Sequence, residues 1–167
     1  FVNRVADLLN SNFKTDRVLT IMNLIADHIA DDIGRHRARF NKNGDNLNRM
    51  ISFANERPDY LRDHVRNFFG AGSDYLIKIK SEGGGEIEIN SLTIKAEDLP
   101  WSGIYFQENS VTVKAIPKSG YKFDGWDGTI TSGETSLEIS GIRTVSLTAL
   151  FSIDSSTTND IVINKIN

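Results

Sequence analysis

The chain has 167 residues, of which 39% are hydrophobic and 25% charged, a composition typical of one or two globular domains. Its formal net charge is −3 and it has no Lys/Arg-rich block, which argues against a nucleic-acid partner. It contains no cysteine, which excludes disulfides, thiolate nucleophiles and Cys-type zinc sites. No apolar run reaches the roughly 20 residues that span a bilayer, so we predict no membrane span.

Helical periodicity extends over the first seventy residues. A first short helix has on one face Phe1, Val5, Leu8 and Leu9. Thr15 fits the N-cap of the next helix, with Asp16 at its positive end. Apolar spacings of three and four then predict one long helix with a stripe of Val18, Met22, Ile25, Ile29, Ile33, His36 and Phe40. The segment Asn43-Gly44-Asp45 ends it.

Two further helices are predicted before the chain changes character. The third has an apolar face of Leu47, Met50, Ile51 and Ala54. Pro58 suits the first turn of a fourth helix, because proline needs no N–H partner there. This fourth helix is expected to bury Leu61, Val65, Phe68 and Phe69. Gly70 closes it, since glycine readily adopts the left-handed conformation.

A change of apolar period from 3.6 to 2 predicts a domain boundary within Ala71–Asp74. Beyond it, isoleucines alternate with charged residues on both sides of the glycine-rich segment 81–85. We predict a β-hairpin that pairs Ile79 with Ile87, Lys80 with Glu86, and Lys78 with Glu88. A phosphate-binding loop is the weaker alternative, because no Gly-Lys-Ser/Thr motif and no helix follow the glycines.

The segment from Tyr105 to Trp126 combines a strand, a turn and an aromatic cluster. Alternation at Val111, Val113 and Ala115 predicts a half-buried strand, which Pro117 ends before a turn at Gly120. We predict that Trp126 is buried with Tyr121 or Phe123 against Val113 and Val145. Two more strands are expected, one with Leu137 and Ile139 and one with Val145, Leu147, Ala149 and Phe151, joined by a turn at Gly141.

The sequence therefore predicts the α+β class, an N-terminal helical segment followed by a small all-β module. The predicted domains are a helical segment at 1–72, the β module at 75–153, and at 154–167 a polar linker with the start of a further strand, Ile161–Ile166. Because Phe1 lies inside a helical pattern and that last strand has no partner, we expect the chain to be a piece of a longer protein.

Two stretches resemble known families. The run VADLLNSNFKTDRVLTIMNLIADHI, RHRARF and ISFANERPDYLRDHVRNFFG, within Phe1 to Gly70, resembles the C-terminal helical end of the CotH spore-coat kinase-like family. The region from Gly85 to Phe151, with WSGIYFQENSVTVKAIPKSGYKFDGW and LTALF, is similar to divergent internalin-B-type repeat modules, although Glu108-Asn109 stands where that family more often has glycine. The closing IVINKIN is a seven-residue resemblance to the first strand of a lamin-tail-like domain.

These resemblances imply an extracytoplasmic bacterial protein, secreted or at the cell surface, in which a kinase-like domain precedes β modules. The nucleotide-binding and metal-binding residues of that kinase-like family lie upstream of the matched segment. The resemblance therefore implies no catalytic residue, no cofactor and no enzyme activity for this chain. Its expected partners are neighbouring domains of the same polypeptide, with a protein or a glycan at the cell envelope as a further partner.

The titratable residues predict no metal site. His28 and His36 are about 12 Å apart along one helix, whereas two zinc ligands must lie within about 4 Å of each other. His36 on the apolar stripe is interpreted as a core histidine, and His64 as a packing residue. The doublets Asp31-Asp32 and Glu97-Asp98 are interpreted as solvated surface, because adjacent helical residues do not face each other as an acid–base pair would.

Aromatic residues offer a second interpretation of the β module. Trp101, Tyr105, Tyr121 and Trp126 could stack on sugar rings, although aromatics in a small β module more often form its core. Trp101 and Tyr105 are the candidate ligand contacts, because Trp101 follows Pro100 in a loop. The favoured function is a non-catalytic structural spacer or protein-interaction module, and the alternative is a carbohydrate-binding accessory module.

Overall fold

A computed structural model describes residues 1–41, 46–141 and 144–155, and over these ranges it confirms the α+β class. The helices are α1 (Val2–Leu9), α2 (Thr15–His28), α3 (Ala30–Phe40) and α4 (Leu47–Phe69). The strands are β1 (Asp74–Glu82), β2 (Gly85–Ile89), β3 (Leu92–Ile94), β4 (Trp101–Phe106), β5 (Val111–Pro117), β6 (Tyr121–Gly128), β7 (Ser136–Ile139) and β8 (Thr144–Ile153). A 3₁₀ turn, Ala96–Asp98, precedes β4.

The chain divides into two compact units. The β unit comprises Phe1–Asp7 together with the chain from Ala71 onward, and the helical unit comprises Leu8–Gly70. The first residues of the chain thus belong with the strands and not with the other helices. In the sequence, the helical unit is inserted between two segments of the β unit.

The long second helix of the prediction is wrong, because two helices meet at Ile29. This residue has φ −100° and ψ 1°, outside helical geometry, and it is both the C-cap of α2 and the N-cap of α3. Asp31 and Asp32 lie in the first turn of α3, where negative side chains favour a helix start. Asn41 ends α3 with φ 50°, and the predicted stop at Asn43-Gly44-Asp45 lies outside the described residues.

The two helices predicted around Pro58 are one continuous helix, α4, with the proline inside it. Proline leaves the carbonyl four residues earlier, that of Ala54, without its helical N–H donor. The hydroxyl of Thr15 donates to that carbonyl at 3.4 Å. Thr15 was predicted to be the N-cap of α2, but it is the first residue of that helix. The N-cap is Lys14. Gly70 ends α4 with φ 61°, as predicted.

The predicted apolar stripes of the helices are largely exposed. Neither α2 nor α3, both fully described, contains a buried residue. His36 is exposed beside Phe40, with ring centroids 4.8 Å apart, so it is not a core histidine. The prediction that Phe68 and Phe69 are buried is also wrong, since they are 82% and 48% exposed. In α4, the buried residues are Ala54, Arg62 and Val65.

In the described part of the β unit, eight strands form two four-stranded sheets. The first sheet has the order β4-β1-β8-β6, in which β1 and β8 are parallel and the other pairs antiparallel. The second sheet has the order β3-β2-β5-β7, antiparallel throughout. The hydroxyl of Tyr75 on β1 donates to the carbonyl of Ile139 on β7 at 3.3 Å, so the two sheets face each other across a shared core.

The predicted hairpin between β1 and β2 is wrong, because these strands lie in different sheets. The glycine segment carries the chain from one sheet to the other. A side chain at Gly83, with φ 92°, would lie 2.1 Å from the carbonyl oxygen of Phe151, and one at Gly85 would overlap the Phe151 ring. The glycines thus allow a close crossing over β8. Lys114 of β5, not a lysine of β1, lies opposite Glu88, at 3.7 Å.

The core of the β unit is confirmed at the predicted strand positions. Fully buried side chains alternate along β1, β2, β5 and β8. Trp126 is 1% exposed and its ring lies 5.5 Å from that of Phe123, which in turn lies 5.6 Å from Phe151. Gly141 has φ 69°, as a turn requires. The predicted strand Ile161–Ile166 lies outside the described residues.

Candidate functional site

The N-terminal helix presents a polar face to two turns of the β unit. Asn3, Arg4 and Asp7 are three and four residues apart, so they lie on the same side of α1. Val2 and Ala6, on the adjoining side, are buried, whereas Phe1 is 81% exposed. Of the predicted apolar face, Leu9 is buried at 5% exposed and Val5 and Leu8 are half-buried, whereas Phe1 does not belong to the buried face. The buried face of this helix is thus partly apolar and partly polar.

Asp7 is the centre of this contact, which we call the polar joint: Asn3, Arg4, Asp7, Asn90, Ser91 and Tyr105. Its carboxylate is 1% exposed. It accepts hydrogen bonds from the Tyr105 hydroxyl at 2.9 Å, from the Ser91 hydroxyl at 2.5 Å and from the Ser91 backbone N–H at 3.1 Å. The side-chain amide of Asn90 lies at 3.4 Å. A buried carboxylate with this many donors is a fixed structural group.

Two further side chains of α1 extend the polar joint. The guanidinium of Arg4 donates to the Ser91 hydroxyl at 2.6 Å, so this hydroxyl accepts from Arg4 and donates to Asp7. The amide of Asn3 donates to the backbone carbonyl of Ser110, between β4 and β5, at 2.7 Å. The helix is thus fixed to the turn between β2 and β3 and to the turn before β5.

The turn that receives Asp7 is itself ordered by Asn90. This residue has φ 47°, a left-handed conformation that asparagine tolerates better than most residues. Its backbone N–H donates to the Thr112 carbonyl at 2.9 Å, and its side-chain oxygen accepts from the Thr112 N–H at 3.0 Å. These bonds tie the turn to β5 and present Ser91 toward α1.

The polar joint has no arrangement for catalysis. Ser91 contacts a carboxylate, but a serine nucleophile needs a base such as histidine to take its proton. His28, His36 and His64 are all exposed and all belong to the helical unit. Across the described ranges, no group of three or more His, Asp or Glu side chains could hold a metal ion. The joint therefore fastens one segment of the chain to another.

The candidate sugar-stacking residues are in different environments. Tyr105, a candidate ligand contact, is completely buried, and its hydroxyl donates to Asp7. Trp126 is also buried, whereas Tyr121 is 37% exposed. Trp101 begins the edge strand β4, opposite Ile79, and is half-buried. Of the two candidate ligand contacts, only Trp101 presents an accessible ring.

The acidic doublets lie on the surface, as interpreted from the sequence. Asp31 and Asp32 are exposed, and Asp32 pairs with Arg35 at 2.9 Å, one turn along α3. Glu97 and Asp98 are exposed in the 3₁₀ turn before β4. Neither doublet forms a general acid–base pair.

Tyr75 is the buried titratable group of the β core. Burial raises its pKa from 10.0 to about 12, because the phenolate would lose its hydration between the sheets. The Tyr75 hydroxyl donates to a backbone carbonyl, which favours the protonated form as well. With a pKa of about 12, Tyr75 is protonated at neutral pH and remains hydrogen-bonded in the core.

A second candidate site is an apolar groove between α2 and α4. We call it the helical groove, with a volume of about 710 Å³. Its apolar lining includes Phe13, Val18, Met22, Met50, Phe53 and Leu61. Arg49 and Arg57 are its charged lining residues. The sequence interpretation placed Arg57 at a helix start beside Pro58 and assigned no role to Arg49. Their spacing along α4 is the sequence signal that could have identified them.

The described ranges include no helix whose length and hydropathy would allow it to cross a membrane.

Residues 75–155 match the family model of the divergent InlB B-repeat domain. The match extends from the second residue of β1 to just beyond β8, and it leaves the helices outside. The resemblance that the sequence predicts for Gly85 to Phe151 is thus confirmed over a longer segment. A comparison with curated proteins and one with solved structures each returned no significant match.

Proposed function

We propose that this chain is a non-catalytic structural part of an extracytoplasmic protein, in which the β unit is a rigid spacer that holds its neighbours in a fixed orientation. The observation that carries this proposal is the polar joint. A flexible linker would leave α1 free, whereas Asn3, Arg4 and Asp7 bind it to two turns of the β unit. Divergent InlB B-repeat modules offer the same kind of compact β scaffold.

The helical unit is proposed to be the C-terminal end of a CotH kinase-like domain. Two features support this interpretation. The sequence of Phe1 to Gly70 resembles that family, and many of the unit's apolar side chains are exposed, including Leu24 at 64% and Phe53 at 64%. Exposed apolar faces of this size are typical of helices that pack against a neighbouring domain. The neighbouring domains of the same polypeptide are the proposed partners.

Calorimetry with ATP in the presence of Mg²⁺ or Mn²⁺ tests the non-catalytic role. We expect no heat of binding and no phosphate release above buffer, because neither the polar joint nor the helical groove offers a phosphate loop or paired metal-binding carboxylates. Titration of the same ATP and metal solution into buffer alone serves as the control for heat of dilution. Saturable ATP binding by the parent chain would overturn the proposal.

A carbohydrate-binding role is the alternative, and the half-buried ring of Trp101 at a sheet edge favours it. Aromatic rings at such positions can stack on the apolar face of a sugar. A glycan array with the parent chain and with Trp101→Ala separates the two functions. Retention that Trp101→Ala abolishes, and that Tyr121→Ala leaves unchanged, would support carbohydrate binding. Absence of retention supports the spacer.

A further inference from the structure

The helical groove has the dimensions and lining of a helix-docking site. Its walls are α2 and α4, and its lining is apolar apart from Asn46 and the two arginines. Met50 is 53% exposed and Phe53 64% exposed, so side chains of the groove present apolar area to solvent. An open apolar groove between two helices is a common receptor for an amphipathic helix, which lays its own apolar face into it.

The charged residues of the groove lie along one rim and have one sign. Arg49 and Arg57 are eight residues apart on α4, which is about 12 Å along the helix axis. The guanidinium of Arg57 lies 5.9 Å from the centroid of the Phe53 ring, a cation–π contact that holds it at the rim. Within the described part of the chain, no aspartate or glutamate lines this groove.

We propose that the helical groove binds an amphipathic helix of a neighbouring domain, with acidic residues along one flank of its apolar face. The apolar face supplies burial at positions i, i+3, i+4 and i+7. The two acidic residues lie seven or eight positions apart, because that spacing matches the rise of about 12 Å along α4 from position 49 to position 57, at about 1.5 Å per residue. Charge complementarity of this kind fixes the register and direction of the docked helix.

This inference rests on the proposed function, since it identifies the surface through which the helical unit meets its neighbour. It adds a specific chemistry for the partner. A basic or neutral amphipathic helix would bury the same apolar area but would leave Arg49 and Arg57 facing like charge or none. Selectivity for acidic flanks is therefore the property that distinguishes this groove from a general apolar patch.

The test uses the full chain and a fluorescently labelled 18-residue amphipathic peptide. The peptide has a leucine face and, on one flank of that face, two glutamates seven residues apart. A matched peptide has lysines at these two positions. We expect saturable binding of the glutamate peptide, measured by fluorescence anisotropy, and binding of the lysine peptide at least about tenfold weaker. The preference should diminish in high salt, because the rim charges are solvent-accessible.

A charge-reversal variant sharpens the test. In Arg49→Glu/Arg57→Glu we expect the preference to invert, so that the lysine peptide binds more tightly than the glutamate peptide. The control Arg17→Glu/Arg35→Glu makes the same change of net charge outside the groove and should keep the original preference. Circular dichroism establishes that both variants are folded. Inversion in the groove variant alone supports the proposal.

Three results would overturn the inference. These are absence of saturable binding to the glutamate peptide, equal affinity for both peptides, and a self-association in sedimentation that the peptide displaces, which would make a second copy the occupant. The ATP calorimetry remains a separate test of the proposed function. If the chain binds neither the peptide nor ATP, the proposed helical partner is wrong but the non-catalytic role stands. If the chain binds ATP, the non-catalytic role is wrong whatever the result with the peptide.

Discussion

The β unit and the helical unit contain similar fractions of apolar residues, but the β unit buries many of them and the helical unit leaves most of them exposed. In the β unit, alternation places large side chains between two sheets, and Ile77, Ile79, Val113 and Val145 are each completely buried. In the helical unit, the apolar stripes of α2 and α3 contain no buried residue in their described ranges. Periodicity therefore identifies an apolar face in both units, but burial depends on whether a partner covers that face.

Replacement of Trp126 by alanine is expected to have the largest effect. Its ring is 1% exposed and contacts Phe123, and truncation of a buried large aromatic costs about 3–5 kcal/mol. This loss is enough to unfold a small domain of ordinary stability. Chemical denaturation measures this loss of stability. Unfolding is followed by far-UV circular dichroism, because the variant lacks the fluorescence of Trp126. If Trp126→Ala were as stable as the parent, the central core of the β unit would be misidentified.

Asp7→Ala is expected to destabilise the β unit by about 2–4 kcal/mol, because it leaves the buried Tyr105 hydroxyl and the Ser91 groups without their acceptor. The comparison variant Tyr105→Phe removes one of these donors and should cost about 1–2 kcal/mol. A double-mutant cycle between the two positions measures their coupling. Strictly additive losses would show that Asp7 and Tyr105 are not energetically coupled in the folded state.

The sequence predicted the strands well, since a buried face repeats every second residue and β5 and β8 bury the predicted positions. It did not predict strand partners. Ile79 and Ile87 are equally buried in opposite sheets, so their pattern is compatible with a hairpin and with a crossing. Close approach of Gly83 to the Phe151 backbone decides between these arrangements, and only the three-dimensional structure contains it.

The polar joint and the helix boundaries were beyond prediction for a similar reason. Asp7 lies on a helix as an ordinary surface acid would, and its burial depends on a turn more than eighty residues later. Pro58 lies inside α4, where the Thr15 hydroxyl donates to the Ala54 carbonyl that the proline leaves without its helical donor. Both outcomes depend on contacts distant in sequence, which local periodicity does not encode.

The raised pKa of Tyr75 predicts that the stability of the β unit depends on pH in the alkaline range. Its pKa is raised to about 12 by burial, against 10.0 when exposed. Between these values the unfolded chain loses the phenolic proton while the folded chain retains it, so the folded state is favoured less as the pH rises. The contribution is complete below about pH 10 and is lost by about pH 12, at a cost of up to about 3 kcal/mol.

Tyr75→Phe separates this term from other groups that titrate at alkaline pH. The variant should lose about 0.5–1.5 kcal/mol at neutral pH, with the hydrogen bond to the Ile139 carbonyl. Its stability should then fall less steeply than the parent's from pH 10 to 12, as followed by urea denaturation. Parallel pH profiles for the two chains would show that Tyr75 ionises freely in the folded state.

Leu24→Ala is expected to have the smallest effect, below about 0.5 kcal/mol, because Leu24 on α2 is 64% exposed. The matched substitution Leu147→Ala, on β8 at 2% exposure, should cost about 2–5 kcal/mol. Denaturation of the two variants under identical conditions compares one chemical change in the two units. A large loss at Leu24 would mean that the helical unit has a closed core of its own.

Hydrogen exchange of the intact chain tests most directly whether burial, and with it local stability, is concentrated in the β unit. We predict that amides of β1, β5 and β8 exchange at least about a hundredfold more slowly than those of α2 and α3, because local opening is easiest where few apolar groups are buried. Protection should extend to the first turns of α1 through the polar joint. Equal protection of α2, α3 and the central strands would contradict the division of the chain into a closed β unit and an open helical unit.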